Sequence, residues 1–230
     1  MDAEKSFRVE KEELVQSFLL THGDQDVFER LEEFNHLMIK YHAVIREVTT
    51  KLEILNDELS HSKQRNPIET ISFRIKKPMS IAQKLRKKGA PVTVDSISQT
   101  LNDVAGIRVI CSFVDDIYAV AEMLTRQDDV RLIEKKDYIQ NPKPNGYRSL
   151  HLVLEVPVFF STHKEPMRVE VQIRTVAMDF WASLEHQIRY KNHTPETRRI
   201  AGELKECADV IAQTDLRMQA LRDQVMEQKE

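Results

Sequence analysis

Two cysteines in 230 residues, Cys111 and Cys207, stand far apart and show no metal-ligand spacing. That pattern excludes a disulfide framework and suits a reducing compartment. No apolar run approaches the length of a membrane span, and the first residues, MDAEKSFRVEKEELVQ, are charged where a signal peptide would be apolar. A soluble cytoplasmic protein with no membrane partner is expected. The chain also lacks an excess of either charge: its net charge is −3, so any anion it binds must be drawn by a local cluster of cations rather than by the field of the whole molecule. There are no internal repeats and no low-complexity linkers to divide it.

What is present is enough hydrophobic residue, 41%, for one sizeable core. From about Lys5 to Ser60, apolar positions such as Leu37, Tyr41, Val44, Val48, Leu52, Leu55 and Leu59 recur at helical spacing among charges, predicting one long amphipathic helix after a shorter one. Between Glu69 and Thr175 the period changes. The runs ISFRI, AGIRVICSFV, VRLIEKKDYI, SLHLVLEVPVFF and MRVEVQIRT read as strands, rich in β-branched residues and bounded by turn formers. Two helices interrupt them, PMSIAQKLRKKG with proline first and glycine last, and DDIYAVAEMLTRQ with acids at its start. From VAMDFWASLEHQIRY onward the chain is helical and charged. The expected architecture is a mixed sheet flanked by helices, with helical arms at both ends that offer surfaces for self-association.

Chemistry concentrates in four places. Arg74, Lys76, Lys77, Lys84, Arg86, Lys87 and Lys88 fall in a short stretch without an acid. Such a run is either a solvated basic face or, with Arg74 and Lys76 on one side of a strand, a polyphosphate cradle. Asp103 stands just before a strand that carries Arg108; it is either a turn acid or one carboxylate of a magnesium site, which needs only one or two carboxylates plus substrate phosphates. In RVEVQIRT, Glu170, Gln172 and Arg174 alternate with Val169, Val171 and Ile173, so the polar three share a face, solvent-facing or functional. In KPNGYRSLH, Tyr147 follows a turn rigidified by prolines and relieved by a glycine. It is either edge packing or a stacking platform for a base, and His151 is an ordinary strand histidine or a donor to phosphate or ribose. A converging set of acid, amide and cations is what phosphoryl transfer requires, because that chemistry rests on positioning and charge neutralisation.

Taken in order, NPIETISFRIKKPMSIAQKL, DVAGIRVICSFVDDIY, DYIQNPKPNGYRSLHLVLEVP and VEVQIRTVAMDFWASLEHQIRYK closely resemble the synthetase domain of the RelA/SpoT family, and most of all the RelP-like branch of its stand-alone small alarmone synthetases. The resemblance covers about Asn66 to Lys191. It implies an α+β, nucleotidyltransferase-like mixed sheet: an N-terminal helical extension over 1–65, a catalytic domain over 66–191 and a C-terminal helical extension over 192–230, assembled as a homotetramer through the arms. It implies transfer of the β,γ-pyrophosphate of ATP to the ribose 3′-hydroxyl of GDP or GTP, with Mg2+. On this resemblance Asp103 and Glu170 are the metal-binding carboxylates, and Glu170 also activates the hydroxyl. Arg74 and Arg108 pack on the adenine of ATP, and Lys76 and Lys84 hold its phosphates. Tyr147 stacks on guanine, with Lys143, His151 and Gln172 near the acceptor. Asp179 stands where some relatives carry asparagine and can accept from guanine N1–H and the exocyclic amine. Stacking uses the ring face, so the Tyr147 hydroxyl is expected to matter little, and Arg148 is expected near the acceptor's ribose and phosphates.

Four rivals bear on this. A nucleotidyltransferase that moves AMP uses a Gly-Ser turn before a paired Asp-x-Asp, a combination missing from this chain. A nucleic-acid-binding module would use the basic run and Tyr147 but leave Asp103 and Glu170 as unexplained negative charge, so no stable nucleic-acid partner is expected. A related branch of the family pyrophosphorylates the 3′ end of tRNA, and only overall similarity disfavours it. The hydrolase activity of the wider family is excluded by the absence of a His-Asp metal motif.

Overall fold

The computed structural model of the protein describes residues 24–63, 65–191 and 197–228. The shorter helix expected before the long one lies outside these residues. Helix α1 (Asp24–Lys63) leads into strand β1 (Ile68–Ile75), then α2 (Pro78–Lys87), α3 (Val94–Thr100), β2 (Ala105–Cys111), α4 (Val114–Thr125), β3 (Arg131–Asp137), β4 (Leu150–Phe159), β5 (Lys164–Thr175), α5 (Val176–Lys191) and α6 (Thr197–Glu227). The strands form one sheet in the order β1-β2-β5-β4-β3. Only β2 and β5 run parallel among the described pairs; the other three pairings are antiparallel. This is the mixed sheet the patterning predicts.

Its two faces follow from strand alternation. Ile107 and Val109 of β2, Val169, Val171 and Ile173 of β5, and Leu150, Leu152 and Leu154 of β4 are all buried on one side. Against them pack α1 and α4, whose Val44, Val48, Leu52, Ile117, Val120 and Leu124 are fully enclosed. Helix α1 therefore differs from the expected arm: its apolar stripe belongs to the core of the sheet. A bidentate pair from Arg65 to the fully buried Asp116, both contacts 2.7 Å, joins the chain just after α1 to the first turn of α4. The short helix α3 has no counterpart in the sequence reading, because proline and β-branched residues in PVTVDSIS read as loop. Its start is secured by Thr93, whose hydroxyl accepts from the Ser96 backbone N–H.

Helix α6 runs past α5 to α4. Trp181 of α5 donates its indole N–H to the Leu204 carbonyl at 2.8 Å, and Arg222 forms a bidentate pair with Asp115 at 2.9 and 2.8 Å. Between these anchors Asp215 is buried and accepts from the hydroxyl of Thr175, the residue that joins β5 to α5. Burial pushes the Asp215 carboxyl above its ordinary range despite that bond.

Two outcomes follow for stability. Leu52→Ala should lose about 2–5 kcal/mol in urea unfolding, whereas Ile54→Ala, on the 60% exposed side of the same helix, should stay within about 0.5 kcal/mol. Asp215 binds its proton more tightly folded than unfolded, so its stabilising contribution is present at low pH and lost as pH rises through the carboxylate range. Asp215→Asn should therefore raise the melting temperature at pH 7, and the advantage should fade as the pH is lowered through about 4; melting curves across pH check the sign.

Candidate active site

The opposite face of the sheet is polar, and pairing register lines it up in rows. Ser72 of β1 lies beside Arg108 of β2, Arg108 beside Gln172 of β5, Gln172 beside His151 of β4, and His151 beside Lys136 of β3. The next row holds Arg74, Gly106, Glu170, Val153 and Glu134. Each residue lies opposite its neighbour in the pairing, so every side chain in a row projects to one side.

At one end of these rows sits Asp103, in the turn that feeds β2. Its Oδ2 accepts from Lys84 Nζ at 2.6 Å and pairs with Lys76 Nζ at 2.8 Å, while its buried Oδ1 has no hydrogen-bond partner. Lys76 is placed here because its backbone N–H extends the β1–β2 pairing to Val104 O, at 2.8 Å. Lys84 comes from the last turn of α2, where a cation also meets the negative end of the helix dipole. Burial alone would raise the Asp103 pKa, but the hydrogen bonds from Lys76 and Lys84 outweigh it and hold the carboxyl below its usual range. Beside this cluster a cleft of about 160 Å³ is lined by Ser72, Arg74, Gly106, Arg108 and Gln172. It is too small for a whole nucleotide but open to one part of it. A larger cavity of about 720 Å³ lies between α1, α2 and α3, around Phe34, Leu37, Pro78 and Ile81, and contains none of the predicted site residues.

In the row of Gly106, Glu170 is held through both oxygens. His151 Nδ1 is 3.2 Å from Oε1, and Gln172 Nε2 donates to Oε2 at 2.8 Å. Burial opposes ionisation, the nearby Asp103 charge adds to that, and the bonds from His151 and Gln172 prevail, so the Glu170 pKa lies below the ordinary glutamate range. The Asp103 charge thus reaches Glu170, across the row that Glu170 shares with Gly106. Tyr147 Oη lies 2.8 Å from His151 Nε2, and burial raises its pKa. Lys143 Nζ sits 4.7 Å from the Tyr147 ring centre and 4.5 Å from that of Tyr138, which meets both Tyr147 and His151 edge-on. Asp179, in the first turn of α5, receives Arg174 Nη1 at 3.1 Å and Arg108 Nη1 at 3.4 Å on its Oδ1.

The structure thus gathers Arg74, Lys76, Lys84, Asp103, Arg108, Lys143, Tyr147, His151, Glu170, Gln172 and Asp179 around one polar face. Two expectations need correction. Arg148 does not approach the acceptor region: its guanidinium turns back to the Gly146 and Ala208 carbonyls at 3.1 and 3.2 Å and to Asp209 at 2.9 Å, because α6 lies directly behind the loop. The Tyr147 hydroxyl is engaged by two side chains rather than idle, and its ring is half-buried rather than freely exposed. Gly146 explains the close fit to α6: its φ is +89°, and a Cβ there would stand 2.6 Å from the Ala208 Cβ. Sequence reasoning missed Tyr138 and gave Arg174 no role. Alternation puts Arg174 on the polar face, but a cation at a strand end reads as solvated when its partners are not known.

The model described as a region found in RelA and SpoT proteins matches residues 73–195. The GTP pyrophosphokinase YwaC of Bacillus subtilis is 41% identical over 206 residues, covering 90% of this chain and 98% of that protein. The GTP pyrophosphokinase YjbM of the same organism is 33% identical over 196 residues, covering 85% and 92%. Among solved structures, small alarmone synthetase 1 from Bacillus subtilis bound to its product pppGpp superposes with a TM-score of 0.75 at 34% identity, covering 85% of this chain and 99% of that one. Matched along nearly the full length of these relatives, with its polar face built on the segments the family model spans, the chain belongs to the RelA/SpoT family.

Proposed function

We propose that this protein is a (p)ppGpp synthetase, a GTP/GDP pyrophosphokinase that transfers the β,γ-pyrophosphate of ATP to the 3′-hydroxyl of GDP or GTP and releases AMP. The observation that supports this most directly is the pairing of two unlike carboxylates on one sheet face. Asp103 sits between the ammonium groups of Lys76 and Lys84, cations suited to polyphosphate, and Glu170 is oriented through both oxygens by His151 and Gln172, which suits an acceptor for a hydroxyl proton.

Glu170 is ionised at neutral pH and oriented through both oxygens, so a ribose hydroxyl brought to it meets a fixed acceptor. A carboxylate with a lowered pKa is a weak base; its contribution is on the order of 10²–10⁴-fold, and alignment of the hydroxyl with the β-phosphorus carries more. Lys76 and Lys84 lie where charge grows on the pyrophosphate oxygens and the departing AMP. Arg74 and Arg108 flank the cleft into which the adenine fits. Lys143 covers a face of Tyr147, so a guanine that stacks there displaces the ammonium and frees it for the acceptor's phosphates. Asp179, already bound through Oδ1, keeps Oδ2 for the guanine edge.

The residues present also fit Mg2+. The buried, unpartnered Oδ1 of Asp103 is an acceptor awaiting a cation, and Glu170 supplies the second carboxylate. Among the described residues no group of three or more acids, histidines or cysteines could hold a metal unaided, which suits an ion shared with substrate phosphates. When bound, Mg2+ would neutralise charge on those phosphates. No helix among the described residues is long and apolar enough to cross a membrane. Since the substrates are nucleotides of the cytoplasm, the protein is expected to work there.

For assembly we propose the homotetramer. Helix α5 exposes Val176, Phe180, Leu184 and Ile188, four apolar residues at successive four-residue steps, and α6 exposes Val210, Leu216, Met218 and Leu221. Such a stripe on paired helices is suited to burial against another copy.

Incubation with γ-labelled ATP and GDP or GTP tests the activity. Label should move to the guanine nucleotide with release of AMP; release of pyrophosphate instead, or transfer to tRNA alone, would support the AMP-transferring or tRNA-modifying rival. Glu170→Gln should keep nucleotide binding and lose turnover by orders of magnitude, and near-normal turnover would exclude Glu170 from the chemistry. Light scattering at micromolar concentration should give four times the 26.9 kDa chain mass, and Leu184→Glu should lower it.

A further inference from the structure

The proposed synthetase mechanism gives no task to the most enclosed charged group of the polar face. Arg174 is 3% exposed, the most enclosed cation on that face, and burial lowers its pKa. A guanidinium is not taken out of water to this degree without several acceptors. It has three: Nη1 donates to Asp179 Oδ1 at 3.1 Å, and Nη2 donates to Tyr147 Oη at 3.0 Å and to Gln172 Oε1 at 2.8 Å.

The direction of these bonds has a consequence, because arginine can only donate. Tyr147 Oη accepts from Arg174 and lies 2.8 Å from His151 Nε2, and His151 Nδ1 lies 3.2 Å from Glu170 Oε1, so the phenol and the imidazole join the guanidinium to that carboxylate. On the second branch, Gln172 Oε1 accepts from Arg174, which turns the amide nitrogen toward Glu170 Oε2. Two chains of hydrogen bonds leave one guanidinium and end on the two oxygens of one carboxylate. A third bond reaches Asp179.

We propose that Arg174 is the positioning residue of the acceptor half: through Tyr147, His151 and Gln172 it sets the orientation of Glu170, and through Asp179 and Tyr147 it sets the two groups that meet the guanine base. Base recognition and hydroxyl activation are thereby held in register by a residue that touches neither reacting atom. Without it the Gln172 amide is free to present its oxygen to Glu170, which repels, and the tyrosine hydroxyl loses the bond that holds it against His151. The alternative, that Arg174 only neutralises the buried end of Asp179, predicts that any cation suffices. A lysine supplies a point charge but not the planar fork that serves three acceptors at once.

The inference rests on the synthetase reading, and steady-state kinetics with ATP and GDP separate the two. Arg174→Lys should fold, by near-ultraviolet circular dichroism and melting temperature. Its kcat/KM for GDP should fall about 10²-fold, as displacement of a catalytic group does, while KM for ATP stays within about twofold. Full activity in Arg174→Lys overturns the positioning role and leaves charge alone; an equal rise in KM for both substrates overturns it in favour of a general structural role. Should Arg174 variants not fold, Tyr147→Phe severs one branch while keeping the ring. It should lower kcat about tenfold with KM for GDP changed less than threefold, the size of one lost hydrogen bond, and an unchanged kcat overturns the branch. Wild-type protein that forms no product from ATP and GDP sinks the synthetase reading and this inference together.

Discussion

The parallel pairing of β2 with β5 is the contact on which the site depends. These strands are separated by α4, β3 and β4 in the chain, yet Gly106 lies beside Glu170 and Arg108 beside Gln172. Slipping the pair by one residue would turn Glu170 and Gln172 into the apolar layer and bring Val171 to the polar face, a change opposed by the burial of Val169, Val171 and Ile173 against α1 and α4. The hydrophobic side of the sheet thus fixes the register, and the register fixes the chemistry on the other side. A parallel pair also demands a crossover, and α4 and β3 supply it while adding the outer edge that carries Lys136.

Once the strands are placed, the electrostatic problem is to keep many charges close together on a half-buried surface. The two carboxylates solve it differently. Asp103 is balanced by full positive charges from Lys76 and Lys84, which would otherwise repel each other. Glu170 is oriented instead by His151 and Gln172, one on each oxygen. In both, burial works against ionisation and specific bonds overcome it. The result is two carboxylates on one sheet face, one held by ammonium groups and the other by a histidine and an amide.

Much of this was legible in the sequence where the cause is local. Alternation in RVEVQIRT separates Glu170, Gln172 and Arg174 from the apolar layer, and the run from Arg74 to Lys88 marks a cationic edge. The family resemblance then named the residues that line the polar face. What could not be read depends on partners distant in the chain. Arg148 looks like a site residue because it follows Tyr147, but its partners Ala208 and Asp209 are some sixty positions away. Arg174 looks solvated until Tyr147 and Asp179 are brought to it. The long amphipathic helix read as an arm because nothing local says which surface covers its stripe, and α3 escaped notice because one capping threonine outweighs a composition that reads as loop.

The same distant contacts explain why α6 cannot be treated as an appendage. The loop before Tyr147 contains two prolines and a glycine in a conformation open to few other residues, which narrows the states of the free loop but does not choose its position. That choice comes from outside: the Ala208 surface against Gly146, the Arg148 bonds to the end of that surface, and the Thr175 to Asp215 bond that holds the same helix to the end of β5. Helix α6 therefore grips both the segment that presents the aromatic ring and the strand that presents Glu170. It also carries an exposed apolar face toward solvent. Moving α6 would therefore disturb the loop before Tyr147 and the end of β5 together, while the Asp103 cluster is built on other elements: β1, α2 and the turn before β2.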